Sequence, residues 1–298
     1  MGCREKGKRF LAEIFYGLYR IGILKNPLHV SDLDSTIEEL LATEKSFVRF
    51  GDGEIRLIEG ESLPLQRANP ELALRLKEII SLESDKLIIG IPDIFGSLSR
   101  YRRESRIFWK EHLLFYRKKY EKYCGSQIRY YDAFFSRLYY MYHDRELSRQ
   151  RFEKIKKIWA SKDLAVIESK SSHIGVDNDL LVGARSVKRI ICPEENAFAV
   201  YDVILHGALE YPPGTMFLLS AGASAKLLAV DLTRAGYRAL DIGSLDMEYQ
   251  WYCMNAEEKC HPPKKNCMTR QQDMQAGYYE YLEQIDVMID RNGNKKEI

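Results

Sequence analysis

Six short apolar runs constrain the fold of this chain more than any other feature: SFVRF (46–50), KLIIGI (86–91), DLAVIE (163–168), KRIIC (188–192), MFLLSA (216–221) and YRALDIG (237–243). Each is apolar at consecutive positions rather than alternate ones, the pattern of strands buried on both faces. Such strands require helices on either side, and helical stretches lie between them: ELALRLKEII after Pro70, ENAFAVYDVILHGALE after Pro193, and AKLLAVDLTRAG closing on Gly236. Proline near a start and glycine near an end are the expected punctuation. The expected fold is α/β, a Rossmann-like and mostly parallel sheet flanked by helices. In such folds functional residues gather beyond the C-terminal ends of the strands.

A length of 298 residues is ample for one large domain with a substantial core. The 45 Lys and Arg against 43 Asp and Glu leave a net charge of +2, so nothing calls for a polyanion and no nucleic-acid partner is expected. Six cysteines are few for this length, and Cys3, Cys124 and Cys192 lie far apart, which argues against a disulfide framework and suits a reducing cytoplasm. Cys253, Cys260 and Cys267 recur every seven residues beside His261, but this is not zinc-ligand spacing, and Pro262-Pro263 interrupts any helical face. No run approaches the roughly 20 apolar residues of a membrane span, and MGCREKGKRF lacks the apolar core of a signal peptide. In residues 8–24, Phe10, Leu11, Ile14, Phe15, Leu18 and Ile21 share a helical face among basic residues. That face suits packing on its own domain or, alternatively, peripheral contact with the inner face of a membrane. The expected divisions are an N-terminal helical extension (1–40), a main domain (41–256) with a helical insertion at 98–160, and a tail with a helix (257–298). The insertion holds IRYYDAFFSRLYYMYHD, whose aromatics suit helical packing better than ligand stacking.

Chemistry concentrates first in FVRFGDGEIRLIEG (47–60), where Asp52 and Glu54 stand between glycines as a strand-like run gives way to a helix-like one. Carboxylates favour the first turn of a helix, yet Ile55 occupies the capping-box position three residues after Asp52. On an extended or turning backbone, with Gly51 and Gly53 permitting the turn, residues two apart converge and suit a hard divalent cation. Arg49, just before the pair, suits a phosphate or ribose, or serves to orient the carboxylates. A second cluster, Ser220 to Lys226, is a small-residue turn opening a helix. Backbone amides near Gly222, with Ser224 and Lys226, suit a phosphate, although the spacing is neither Walker A nor GxGxxG. The third, ESKSSHIGVDNDLLVGA (168–184), offers His173 as a base and Asn178 for recognition, as does Asn196 further on. The fourth, LDIGSLDMEYQW (240–251), places Asp241, Asp246 and Glu248 after the last clear strand, where they close the same edge of the sheet, or where Asp246 is simply a helix N-cap.

Together FVRFGDGE, the SR of FFSRLYY, GVDNDL, VKRIICPEENAFAVYD, AGASAKLLAVDL and GYRALDIGSLDMEYQW resemble the GT-D-type bacterial glycosyltransferases, a family formerly of unknown function with an Asp-X-Glu motif. The pieces occur in the family's order over about residues 46–252. Departures are Gly243-Ser244 in place of Gly-His, His173 near a usual arginine and Asp177 near a usual glycine. The resemblance implies a GT-D glycosyltransferase domain over 41–256 that moves a sugar, glucose from UDP-glucose being the leading donor, to a glycan or glycoprotein. It implies a divalent metal, Mn²⁺ or Mg²⁺, at Asp52 and Glu54, beside the diphosphate of a bound nucleotide sugar. Under it Asp52, Glu54, Asp246 and Glu248 are the catalytic candidates, and Arg49, Gly51, Asn178, Asn196, Gly222, Ser224 and Lys226 hold the donor. The residues alone leave two alternatives, a metal-dependent phosphohydrolase or nucleotidyltransferase and a non-catalytic sugar-nucleotide binder.

Overall fold

A computed structural model describes residues 3–24, 28–260 and 276–297. The chain begins with α1 (Cys3–Arg20), β1 (His29–Val30), α2 (Leu33–Ala42), β2 (Ser46–Arg49), α3 (Asp52–Ile58), α4 (Pro70–Ile79) and β3 (Leu87–Ile91). It continues through α5 (Arg103–Tyr123), β4 (Arg129–Asp132), α6 (Arg145–Ile158), β5 (Asp163–Ser169), β6 (Ser186–Cys192) and α7 (Tyr201–Leu209). It closes with β7 (Met216–Ser220), α8 (Ser224–Arg234), β8 (Arg238–Asp241), α9 (Leu245–Cys253), α10 (Ala276–Glu283), β9 (Ile285–Ile289) and β10 (Lys295–Glu297).

Among the described residues ten strands form one sheet in the order β1-β4-β3-β2-β8-β7-β5-β6-β9-β10. All neighbours run parallel except β10, which pairs antiparallel with β9. All six apolar runs are strands of this sheet, and Phe47, Val48, Leu218, Leu219 and Leu240 at its centre are fully buried. The helices form where their caps and apolar spacing coincide. In α4, Asn69 Oδ1 accepts from the backbone N–H of Glu71 and Leu72, Pro70 takes the first turn, and Leu72, Leu76 and Ile79 face the core. Gly236, at φ +95°, ends the turn after α8 in the left-handed region that only glycine enters readily.

Three expectations change. The segment 98–160 is not a purely helical insertion, because β4 lies inside it and pairs with β3 and β1. The extension 1–40 contributes β1, and the tail contributes β9 and β10 beside its helix. N-terminal helix α1 does pack on its own domain, but through Ala12, Tyr16 and Tyr19, while Phe10, Leu11, Ile14 and Ile21 are exposed. The Tyr16 hydroxyl fixes it by accepting from Leu98 N–H (2.9 Å) and donating to the Gly96 carbonyl (3.3 Å). Among the described residues no helix is long and apolar enough to cross a membrane.

Candidate active site

A cavity of about 710 Å³ opens at the C-terminal edge of the sheet, beyond the ends of β2, β4, β5, β7 and β8. Its volume lies within the roughly 300–1,000 Å³ of small-molecule sites. Of the residues expected in the site, Arg49, Gly51, Asp52, Glu54, Gly222, Lys226 and Asp246 line it. Asn178, Asn196, Ser224 and Glu248 do not.

Four charges form a chain across the β2/β8 junction. Arg49 donates from Nε to the Asp241 carbonyl (2.6 Å) and from Nη2 to Asp241 Oδ1 (2.8 Å). Its Nη1 reaches the Ala133 carbonyl and the Ser136 hydroxyl. Lys226 Nζ lies 3.1 Å from Asp241 Oδ2 and 3.0 Å from Glu54 Oε1. Burial would raise the Asp241 carboxyl, but Arg49 and Lys226 outweigh it and hold it below the usual carboxylate value. Burial would lower the Lys226 amine, but Asp241 and Glu54 outweigh it and hold it above its ordinary value. Arg49 therefore ties β2, β8 and the turn after β4 together, and most of its donors are already spent on protein. Lys226, 5% exposed, is the bridge between α8, β8 and α3.

The Asp-X-Glu pair is built differently from the sequence expectation. Helix α3 begins at Asp52, so the two carboxylates stand in the first turn of a helix rather than on an extended backbone, and both line the cavity. Glu54 is the third helical residue, and its Oε2 accepts from the Gly51 N–H at 2.6 Å, half of a capping box displaced one residue from where Asp52 as cap would put it. Gly51 is extended (φ −97°, ψ −164°), so no left-handed turn demands it. A Cβ there would lie 3.2 Å from Glu54 Oε2, and one on Gly53 would lie 2.9 Å from a Leu63 methyl, so close packing is what favours glycine at both positions. Asp52 receives no hydrogen bond from another described residue. Burial, and then the nearby Glu54 charge, raise its carboxyl above the ordinary value. A carboxylate in that state suits a cation, and Glu54, with one oxygen on Lys226 and the other on Gly51, retains a lone pair on each. Among the described residues no group of three acidic, His or Cys side chains surrounds a metal position. The donors fit a Mg²⁺-like or Mn²⁺-like ion that takes one or two protein carboxylates and completes its shell with phosphate and water.

Asp246, on α9, lines the cavity and accepts at Oδ1 from Gly175 N–H (2.8 Å) and Asn178 Nδ2 (2.9 Å). Asn178 thus braces Asp246 and the 175–180 loop rather than facing a ligand. Glu248 is fully buried beneath the wall, its Oε2 accepting from Tyr139 N–H (3.0 Å) and Tyr140 N–H (2.8 Å). Its position two residues along α9 from Asp246 turns it away from the cavity. Its Oε1 lies 3.7 Å from Arg137 Nη1. Arg137, whose side chain is 41% exposed, lines the cavity, and sequence reasoning did not single it out. The SR pair contained the signal, together with Ser136, the partner of Arg49.

Asn196 is left-handed (φ 54°), and its Oδ1 accepts from Gln66 Nε2 (2.8 Å), which fastens the Leu65–Gln66 wall. Ser224 is fully buried at the start of α8, so the phosphate role expected of it has no access to the cavity. The turn from Ser220 to Ala223 does line the wall, with Gly222 at φ +56°. His173 packs against the Tyr281 ring at 4.9 Å and does not line the cavity, although Ser172 and Ile174 on either side do. Cys253 and Cys260 are free and exposed, and His261 and Cys267 lie outside the described residues.

A cavity at the C-terminal ends of the strands, lined by Asp52, Glu54, Arg137 and Lys226, stands where open α/β sheets bind their ligands. The sequence model described as "Glycosyltransferase GT-D fold" matches residues 47–269, and the chain belongs to the GT-D glycosyltransferase family. It is 41% identical over 233 residues to the probable glycosyl transferase Gly of Streptococcus gordonii, covering 78% of this chain and 34% of that protein. It is 36% identical over 259 residues to the glycosyltransferase GlyD of Streptococcus pneumoniae, covering 86% of this chain and 32% of that one. The chain thus spans about a third of the length of these relatives. A solved glycosyltransferase (DUF1792) from Streptococcus sanguinis superposes with a TM-score of 0.79 at 38% identity, over 87% of this chain and 98% of that one. A DUF1792 structure described as having a distinct glycosyltransferase fold gives 0.81 at 36% identity, over 92% and 99%.

Proposed function

We propose that this chain transfers a sugar from a nucleotide sugar to a hydroxyl of a glycan or glycoprotein. UDP-glucose is the donor the reading favours, Mn²⁺ or Mg²⁺ is its metal, and the cytoplasm, where such donors are made, is its place of action. The observation that carries the reading is Asp52, a half-buried carboxylate with no hydrogen bond from another described residue, lining the cavity beside Glu54 with Arg137 among the cations near it.

Cleavage of the bond between sugar and nucleotide leaves negative charge on the diphosphate. A divalent ion, when bound at Asp52 and Glu54, neutralises part of that charge. The protein's own share falls to Arg137, exposed in the cavity and free to move the short distance from Glu248, and to the backbone amides of the Gly222 turn. Lys226 and Arg49 act at one remove: they keep Glu54 and the β2/β8 junction in place. Asp246, fixed by Gly175 and Asn178, takes the acceptor proton. Trp109, Phe134 and Met141 supply apolar wall for the sugar or base.

Incubating the chain with UDP-glucose, Mn²⁺ and glycan acceptors, and resolving glycoside from free glucose, separates transfer from hydrolysis. Asp52→Ala is expected to lower turnover by at least about 10²-fold while the melting temperature stays near that of the parent. Full turnover of Asp52→Ala, or of the parent in EDTA, would refute the metal-dependent reading.

A further inference from the structure

The strongest unexplained surface lies on α1 and the adjoining part of α5, outside the cavity and, for α1, before the region matched by the family. Helix α1 presents two apolar faces. One is buried through Ala12, Tyr16 and Tyr19, and the other leaves Phe10 (66%), Leu11, Ile14 and Ile21 (70%) in solvent, with Ile23 following. Five large apolar side chains outward on one short segment form a patch of the kind that marks an interaction site. On α5, Phe108 and Phe115 are also exposed, and Lys8 of α1 sits over the Phe115 ring at 5.1 Å, so the two helices share this surface.

Its charge is as distinctive as its hydrophobicity. Residues 1–25 hold six Lys and Arg against two Glu, although the whole chain carries only +2, so the rest of the protein is acidic on balance. Of the acids nearby, Glu13 is paired with Lys110 and Glu111 with Lys8. Arg9, Arg103, Arg106 and Lys110 line a groove of about 300 Å³ between the helices together with Glu13 and Glu111, whose charges Lys110, Lys8 and Arg9 already meet, so Arg103 and Arg106 are left for a phosphate head group. Among the described residues neither Arg103 nor Arg106 has an ion-pair partner, and neither has Lys6. A helix with an outward apolar stripe and flanking cations suits the boundary between head groups and acyl chains of an anionic bilayer. A second copy of the chain suits it less, because stacking two such faces would set like charges against each other.

We propose that α1 and the start of α5 form a docking surface for an anionic lipid bilayer, with Phe10, Leu11 and Ile14 entering the acyl boundary and Arg103 and Arg106 meeting head-group phosphates. The surface operates independently of the donor site. The test is co-sedimentation of the full chain with phosphatidylcholine vesicles made with and without phosphatidylglycerol. Binding is expected only with phosphatidylglycerol, weakening as salt is raised. Leu11→Ser with Ile14→Ser should lower the partition coefficient roughly tenfold or more, and Arg103→Glu with Arg106→Glu should remove the phosphatidylglycerol preference. Leu11, Ile14 and Arg103 are exposed and Arg106 is half-buried at the surface, so melting temperatures should stay near the parent value and report any variant that fails to fold. No vesicle binding by the parent overturns the proposal. So does a concentration-dependent dimer, seen by sedimentation velocity, that Ile14→Ser dissolves while vesicle binding is unchanged.

Discussion

Lys226 contacts carboxylates on two different elements, and its replacement exposes how the site is held. With Lys226→Met, Asp241 keeps Arg49 but Glu54 keeps only the Gly51 N–H, and two buried acids lose the cation between them. Breaking a buried ion pair from one side costs about 3–5 kcal/mol, and urea denaturation should register a loss of that order. The pH dependence follows from Asp241. Its folded value is depressed, so its contribution is fully present above the unfolded carboxylate value of about 4 and is lost as pH falls through the folded value. Asp241→Asn should therefore flatten the acid limb of the stability curve below about pH 4, measured by denaturation midpoints across that range. A parallel limb in parent and variant would show that the pair stores no such stability. Arg49, Lys226 and Glu54 were legible in the sequence as residues of the site. Their roles were not, because spacing along a chain cannot show that a lysine expected on a phosphate is already held by two carboxylates.

At the scale of elements, register decides which side chains reach the cavity. Asp246 and Glu248 read alike as acids after the last strand, but a helix separates residues two apart by more than half a turn, so one faces the cavity and the other the core. On α3 the same spacing still leaves both Asp52 and Glu54 on the cavity wall, because Glu54 folds back to the Gly51 N–H. Strand β4 was hidden by its composition, since RYYD sits in a stretch of Tyr and Arg that reads as helical, whereas the six continuous apolar runs could hardly be anything but buried strands. Two glycines show what the turns require. Gly222 and Gly243 are both left-handed, at φ +56° and +45°, but a Cβ on Gly222 meets nothing within 4 Å while one on Gly243 would lie 2.0 Å from Arg49 Nη2. Gly222→Ala should cost only the backbone strain, about 1–2 kcal/mol. Gly243→Ala must also displace the guanidinium from Asp241, so its denaturation midpoint should fall clearly further and UDP binding measured by calorimetry should weaken. Equal losses for the two variants would argue that Arg49 is not locked in place.

For the whole molecule, the C-terminal segment connects fold to site across the far edge of the sheet. Strand β9 continues the sheet beyond β6, and its burial alternates along IDVMI, the pattern of a half-exposed strand rather than of the continuous runs that made the central strands legible. Arg189 on β6 donates its backbone N–H to the Gln284 carbonyl (2.7 Å) and its side chain to Glu168 on β5, and the Tyr281 ring lies over the guanidinium at 4.7 Å. Glu168 in turn accepts from the Ile174 N–H (2.8 Å), and Ile174 lines the cavity. Tyr281 also packs with Val176, Ile191 and Ile285 in a cluster separate from the main core. Tyr281→Ala should therefore cost about 3 kcal/mol, as a large aromatic removed from a packed site does. It should also loosen the 169–179 loop, read as faster amide exchange at Ile174 and weaker UDP binding, although Tyr281 itself is outside the cavity wall. Removing residues 276–298 should act in the same direction and more strongly, because it leaves the edge of β6 unpaired and prone to association. If Tyr281→Ala lowers stability but leaves both exchange at Ile174 and UDP affinity unchanged, the tail supports the sheet alone, and the path through Arg189 and Glu168 transmits nothing to the site.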